Sequence, residues 1–160
     1  MLNITIICIG KLKEQYLRDA SAEYQKRLST LCKLSIIELP AEKLSDNPSG
    51  KEIENALFSE GRKIKEKISK GSYVYTMCIE GKQKTSEQFS REIEDITLTG
   101  VSSIVFIIGG SFGLCDEVKA LSNNRFSMSK MTFPHQVARI MLLEQIYRSM
   151  QISLGTKYHK

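Results

Sequence analysis

Apolar and polar positions alternate along this chain in two recognisable rhythms. "NITIICIG" (3–10) is a short β-branched run and predicts a strand, while "KLKEQYLRDASAEYQKRLS" (11–29) repeats Leu12, Tyr16, Tyr24 and Leu28 near helical spacing. "KLSIIELP" (33–40) is a second strand stopped by a proline. The polar, turn-rich "AEKLSDNPSG" (41–50) is a loop and the best candidate for a mobile segment. Residues 51–70 carry a sparse stripe (Ile53, Leu57, Ile64, Ile68) suited to an exposed amphipathic helix ending before Gly71. "SYVYTMCIEG" (72–81) is a third strand, and "SEQFSREIEDITL" a helix with Ser86 as its expected N-cap. "SSIVFIIGG" (102–110) is the fourth and most apolar strand, and "RFSMSKMTF" (125–133) alternates as a fifth. After Pro134, the segment 135–152 is apolar nearly all round: Val137, Ala138, Ile140, Met141, Leu142, Leu143, Ile146 and Met150. Strands alternating with helices predict an α/β fold with a mainly parallel sheet and helices on both faces. The over-apolar last helix is a candidate oligomer interface.

With 160 residues, 41% of them hydrophobic, the chain can close one core, so residues 1–160 are read as a single domain. No signal-like n- and h-region and no apolar run of membrane-spanning length occurs, which predicts a soluble, cytoplasmic protein without a membrane partner. Cys8, Cys32, Cys78 and Cys115 are scattered, with no CxxC pair and no histidine at ligand spacing; they read as buried free thiols, and no metal site is expected. The net charge of +5 is spread along the chain, which permits a polyanionic partner.

The glycines of "FIIGGSFGL" (106–114) fit none of the common phosphate or nucleophile motifs. GxGxxG belongs after a first strand, whereas this turn follows the fourth. No lysine follows Gly113 as a P-loop requires, and Ser111 lacks the GxSxG elbow. Only two histidines, His135 and His159, are present. What successive glycines do supply is a sharp turn and close backbone approach.

Taken in order, "VFIIGGSFGL", "FSMSKMTFPHQVAR" and "LLEQIYRSMQISLGTKYHK", with the opening "ITIICIGKLKE", resemble the SPOUT class of RNA methyltransferases. Within that class they resemble the ribosomal large subunit methyltransferase H family, over essentially the whole chain. The resemblance implies a deep C-terminal trefoil knot, with the knot and cofactor region at about 72–160, and a homodimer. It also implies S-adenosylmethionine as methyl donor and, as substrate, N3 of a pseudouridine in the helix 69 loop of 23S rRNA within the assembled ribosome. Cofactor contacts carried over by the resemblance are Met77, Gly109, Gly110 and the run Met128, Ser129, Lys130, Met131, Thr132 and Phe133.

An imide nitrogen flanked by two carbonyls needs its proton removed, or its anion stabilised, before it attacks a methyl group. His159 has the intrinsic basicity for proton transfer, and Arg148 offers a fixed donor fork. Glu144 lies four residues before Arg148 on one helix face, and Tyr158 could stack on a base. These four are the candidate catalytic residues, the choice of base remaining open; His135 is a further candidate for the cofactor loop or RNA. Lys11, Lys13, Arg18, Arg125, Lys130, Arg139, Lys157 and Lys160 are candidate RNA contacts. Two rival readings stay alongside: a methyltransferase acting on another RNA such as tRNA, and a cofactor-free RNA-binding protein.

Overall fold

The computed structural model describes all 160 residues. Ten elements follow in order: β1 (Asn3–Ile9), α1 (Gln15–Leu28), β2 (Lys33–Leu39), α2 (Gly50–Lys67), β3 (Tyr73–Lys82), α3 (Ser86–Leu98), β4 (Ser103–Ile108), α4 (Asp116–Leu121), β5 (Asn124–Phe126) and α5 (His135–Ser153). The strands form one parallel sheet in the order β2-β1-β4-β3-β5.

Central β1 and β4 are buried on both sides, which explains their unbroken apolar sequence. Their side chains still sort by the two-residue period of a strand. Ile4, Ile6, Cys8, Ile104, Phe106 and Ile108 join a core with Leu28 of α1, Phe89 and Ile93 of α3, and Leu142, Leu143 and Ile146 of α5. Ile7, Ile9, Val105 and Ile107 face the other way, toward Ile64 of α2 and Val118 of α4. Three helices therefore cover one face and two the other.

α3 and α5 run side by side in the same direction. Ser86 donates to Gln145 at 2.7 Å, Ser90 donates to the Ser149 carbonyl at 2.7 Å, and Ser153 bonds Glu94, three links at one constant sequence offset. Small hydroxyl residues let the two helices approach closely while every buried side-chain polar atom keeps a partner.

Several sequence expectations are corrected. α1 starts only at Gln15; Leu12 is buried ahead of it, Tyr16 is 68% exposed, and the inward stripe is Leu17, Ser21, Tyr24 and Leu28. α3 is capped by Thr85, not Ser86, in a reciprocal box with Gln88, which frees the Ser86 hydroxyl for Gln145. α2 is likewise capped by Ser49 with Glu52 and turns inward mainly Glu60, Gly61 and Ile64. Of the 41–50 segment, Gly50 opens α2 and 41–49 lacks regular structure but is tied down: Ser59 and Lys63 donate to the Glu42 carboxylate, and the Glu42 amide donates to Glu60.

The fifth strand stops at Phe126 instead of running to 133. The Ser127 hydroxyl donates to the Ser129 carbonyl and the Met131 amide donates to the Ser129 hydroxyl, so local side-chain bonds replace the ladder. The helix α4 was not legible in the sequence. Cys8 and Cys32 are buried, but Cys78 and Cys115 are only partly so.

Candidate active site

Register decides which loops meet. In the parallel ladders Met77 of β3 stands between Ile108 of β4 and Phe126 of β5. Gly109 follows Ile108 directly, and the 127–134 loop follows Phe126 directly. Three segments remote in sequence thus leave the sheet at one edge, side by side.

The glycine turn is packed against its own chain. A Cβ on Gly109 would lie 2.4 Å from the Gly113 carbonyl oxygen, and one on Gly110 would lie 3.3 Å from the Ile9 side chain. Gly110 and Gly113 pair as an isolated antiparallel bridge, closed by a 3.1 Å bond from the Gly113 amide to the Gly110 carbonyl. The bareness of Gly109 therefore serves the turn itself, and that of Gly110 its packing against the end of β1. Gly81, which the sequence did not single out, does the same for the strand crossing, since a Cβ there would meet the Arg125 carbonyl at 2.7 to 2.8 Å.

What this edge presents to solvent suits an amphipathic ligand. Ile79, Phe112 and Met131 are exposed apolar side chains, one on each of the three segments, with Met77 and Phe133 partly exposed beside them. In the 128–133 run only the Met131 amide finds an acceptor within the protein, leaving the other backbone donors there free. Apolar walls plus unspent backbone donors are what an adenosine with a polar tail would require, so the residues fit that group. No group of His, Cys, Asp and Glu side chains is placed to hold a metal ion.

The four candidate catalytic residues come together. Arg148 Nε donates to Glu144 Oε1 at 2.6 Å and the Tyr158 hydroxyl donates to Glu144 Oε2 at 2.7 Å, so both carboxylate oxygens are engaged. Arg148 Nη1 lies 3.2 Å from His159 Nδ1, and its guanidinium sits over the Tyr158 ring at 4.7 Å. An arginine can only donate, so Nδ1 accepts and the imidazole proton sits on Nε2, which donates to Glu87 at 2.7 Å. The bond to His159 is the main reason the Glu87 carboxyl falls to about 2. Tyr158 packs edge-on to Tyr147, which in turn faces Tyr24, and Arg27 lies over both Tyr24 and Tyr147. Burial, and then the neighbouring Glu144 carboxylate, push the Tyr24 phenol up to about 12 and raise that of Tyr158.

The terminal segment is thus held by side chains of α3 and α5, with α1 packed behind Tyr147. Glu87, in the first turn of α3, was not foreseen, and nothing in the local sequence around an exposed helix-start glutamate marks it. Of the aromatic partners, Tyr24 was legible only as a helically spaced residue and Tyr147 was not singled out.

Arg139 is not an RNA contact: it is 2% exposed, donating to Glu38 at 2.7 Å and to the Gly10 carbonyl at 3.1 Å. It braces the end of β1 from α5. His135 packs half-buried beside Gly10, its basicity lowered by burial and then by the charges of Arg139 and Lys13. Arg18 is spent on the Leu12 and Lys13 carbonyls, whereas Lys11, Lys13, Arg125, Lys130, Lys157 and Lys160 are exposed. A cleft of about 490 Å³ between Lys11, Arg18, Glu38 and Arg139 adjoins this region.

A parallel sheet whose site loops converge at one edge is common to many transferases, and comparison with known proteins narrows the class. The sequence model of the family described as "Predicted SPOUT methyltransferase" matches residues 2–159. The chain belongs to the SPOUT methyltransferase family.

More particularly, it is 53% identical to the ribosomal RNA large subunit methyltransferase H of Clostridium acetobutylicum, over 99% of this chain and 100% of that one. It is 50% identical to the protein of the same name from Clostridioides difficile and 48% to that from Ligilactobacillus salivarius, with the same coverage. A solved structure described as a probable methylase family protein from Haemophilus influenzae shares the fold. Its TM-score is 0.55 at 12% identity, covering 99% of this chain and 71% of that chain.

Proposed function

We propose that this protein methylates N3 of a pseudouridine in the helix 69 loop of 23S rRNA, within the assembled ribosome, with S-adenosylmethionine as donor. The ribosomal RNA target is supported by the names of the full-length relatives, and the chemistry by one observation: the closed Glu144–Arg148–Tyr158–His159 network.

Met77, Gly109, Gly110 and the Met128–Phe133 run would hold the donor, the loop amides taking its polar tail and the exposed apolar side chains its adenine. Bound there, S-adenosylmethionine supplies an already activated methyl group. Glu144, with both oxygens engaged, fixes the guanidinium and the phenol. Arg148 Nη2 has no protein partner and is free to donate to a carbonyl oxygen beside the target nitrogen, stabilising its anion. When Arg148 turns from Nδ1 to the substrate, His159 Nδ1 would be released to accept the imide proton. Tyr158 offers a face on which an unpaired base stacks. The same reading includes the trefoil knot around the three loops. It also includes a cytoplasmic homodimer built on the partly exposed apolar face of α5, where Val137, Ile140 and Met141 are incompletely covered.

The test is methyl transfer from labelled donor to ribosomes lacking the modification, with the labelled nucleotide mapped by nuclease digestion and mass spectrometry. Label on the helix 69 pseudouridine, lost in Arg148→Lys and His159→Gln, is the expected result. Label on tRNA only, or none despite donor binding, would overturn the substrate assignment; absence of donor binding would overturn the enzyme reading.

A further inference from the structure

The tail network and the loop cations leave unexplained the densest run of positive charge in the chain. "RKIKEKISK" (62–70) carries Arg62, Lys63, Lys65, Lys67 and Lys70 against the single acid Glu66. Lys63 is engaged by Glu42 at 3.0 Å, and the other four are exposed and make no ion pair. Lys65 and Lys67 lie in the last turn of α2, where cations complement the helix dipole. That ordinary role covers neither Arg62, more than a turn earlier, nor Lys70, beyond the helix.

The backbone beside these cations is also open. After α2 the chain turns through Ser69–Ser72 into β3, closed by the Ser72 amide donating to the Ser69 carbonyl at 3.2 Å. The amides of Ser69, Lys70 and Gly71, three in succession, have no acceptor in the protein. Gly71 takes φ +80° with nothing within 4 Å of where a Cβ would stand. The Ser69, Ser72 and Ser103 hydroxyls form a chain at 3.0 and 2.8 Å. Lys65, Lys70 and this turn border a cleft of about 350 Å³ whose apolar side is Ile68 and the 48% exposed Leu121. Successive free amides with flanking ammonium groups form an anion-binding concavity, and an adjoining apolar wall suits a sugar.

We infer that the 62–72 face is a second RNA-docking surface that grips the sugar-phosphate backbone away from the reacting base. The inference rests on the proposal that the substrate is ribosomal RNA. Its geometry adds something to that proposal: the turn precedes the start of β3, and Met77, at the candidate active edge, lies five residues on, about 17 Å at strand rise. The turn lies toward the opposite end of β3 from the candidate active edge, so an RNA gripped here is held by its backbone at a point separate from the reacting base.

The test compares K65Q/K67Q/K70Q with K26Q/K33Q/K43Q, three exposed lysines elsewhere, so that net charge changes equally. Binding to purified large ribosomal subunits is measured by filter retention between 50 and 200 mM salt, alongside calorimetric binding of S-adenosylmethionine. The expected result is about tenfold weaker subunit binding for the first triple only. Its log–log salt slope should be shallower by about 0.9 for each phosphate contact removed, with donor affinity unchanged. Equal effects of the two triples would overturn the docking surface while leaving the enzymatic reading intact. Wild-type protein that does not retain subunits would overturn the rRNA reading itself. Retention of the wild type on anionic phospholipid vesicles, lost in the first triple while subunit binding persists, would reassign the surface to a membrane.

Discussion

Replacing Gly109 by alanine isolates what the glycine turn does. Gly109 does not adopt a positive φ, so an alanine there suffers no left-handed strain, and its cost is steric alone. The added methyl would stand 2.4 Å from the Gly113 oxygen, 2.6 Å from its carbonyl carbon and 3.1 Å from its Cα. That is about 1 Å short of an ordinary contact. All three atoms are backbone, so no side chain can rotate away, and the Gly110–Gly113 bridge has to open. Overpacking of this kind costs about 3 kcal/mol.

The neighbouring glycines calibrate the effect. Gly113→Ala meets no atom within 4 Å but keeps φ at +82°, a left-handed cost of about 1 to 2 kcal/mol. Gly110→Ala meets only the Ile9 Cγ2 at 3.3 Å, a contact relieved by a shift of a few tenths of an ångström, and should cost least. Urea unfolding followed by circular dichroism reads this order: with a slope of about 2 kcal/mol per molar, Gly109→Ala lowers the midpoint by about 1.5 M. If the proposed donor site is right, donor affinity measured in the same variants falls in the same order. A Gly109→Ala midpoint equal to that of Gly110→Ala would refute the close-approach explanation.

Three further outcomes are expected. Lys84, 3% exposed, joins Glu92 at 2.6 Å and Asn124 at 3.0 Å and lies over Tyr75 and Phe126, so Lys84→Met strands a carboxylate beside β5. Because Glu92 is 28% exposed and keeps Tyr75 and Asn124 as donors, the loss should be about 2 kcal/mol, short of a fully buried pair, and Glu92→Gln in the same chain should recover part of it. The Glu87 carboxyl titrates at about 2 instead of its ordinary 4.5, so the tail anchorage it provides is complete above pH 4.5 and is lost as pH falls through about 2. Carbon-detected NMR titration checks this, the midpoint returning toward 4.5 in His159→Ala. Burial pushes the Cys8 and Cys32 thiols to about 11, so iodoacetamide at pH 8 should label Cys115 and Cys78 in the native protein and reach Cys8 and Cys32 only after denaturation.

Much of the architecture was readable before any coordinates. Strand and helix rhythms gave nine of the ten elements, because two-sided burial demands unbroken β-branched runs such as Ile4–Ile9 and Ile104–Ile108. α4 escaped because six residues are too few for a helical period to repeat. β5 was overextended because "RFSMSKMTF" alternates like a strand, while Ser127 and Ser129 bond their own loop instead. The tail residues were nominated by resemblance, since "YHK" near a terminus carries no local signal of being held.

By itself, then, the sequence determined the layered α/β class, the family and which residue types were available for chemistry, since these depend on local periodicity and on motif order. Only the tertiary structure decided their company. It showed that Arg139 braces Gly10 and Glu38, that Gly109 is bare for Gly113, and that Glu87 meets His159 across 72 residues of chain. Those pairings follow from strand register and from the parallel alignment of α3 with α5, and register is a property of the assembled sheet that no single segment encodes.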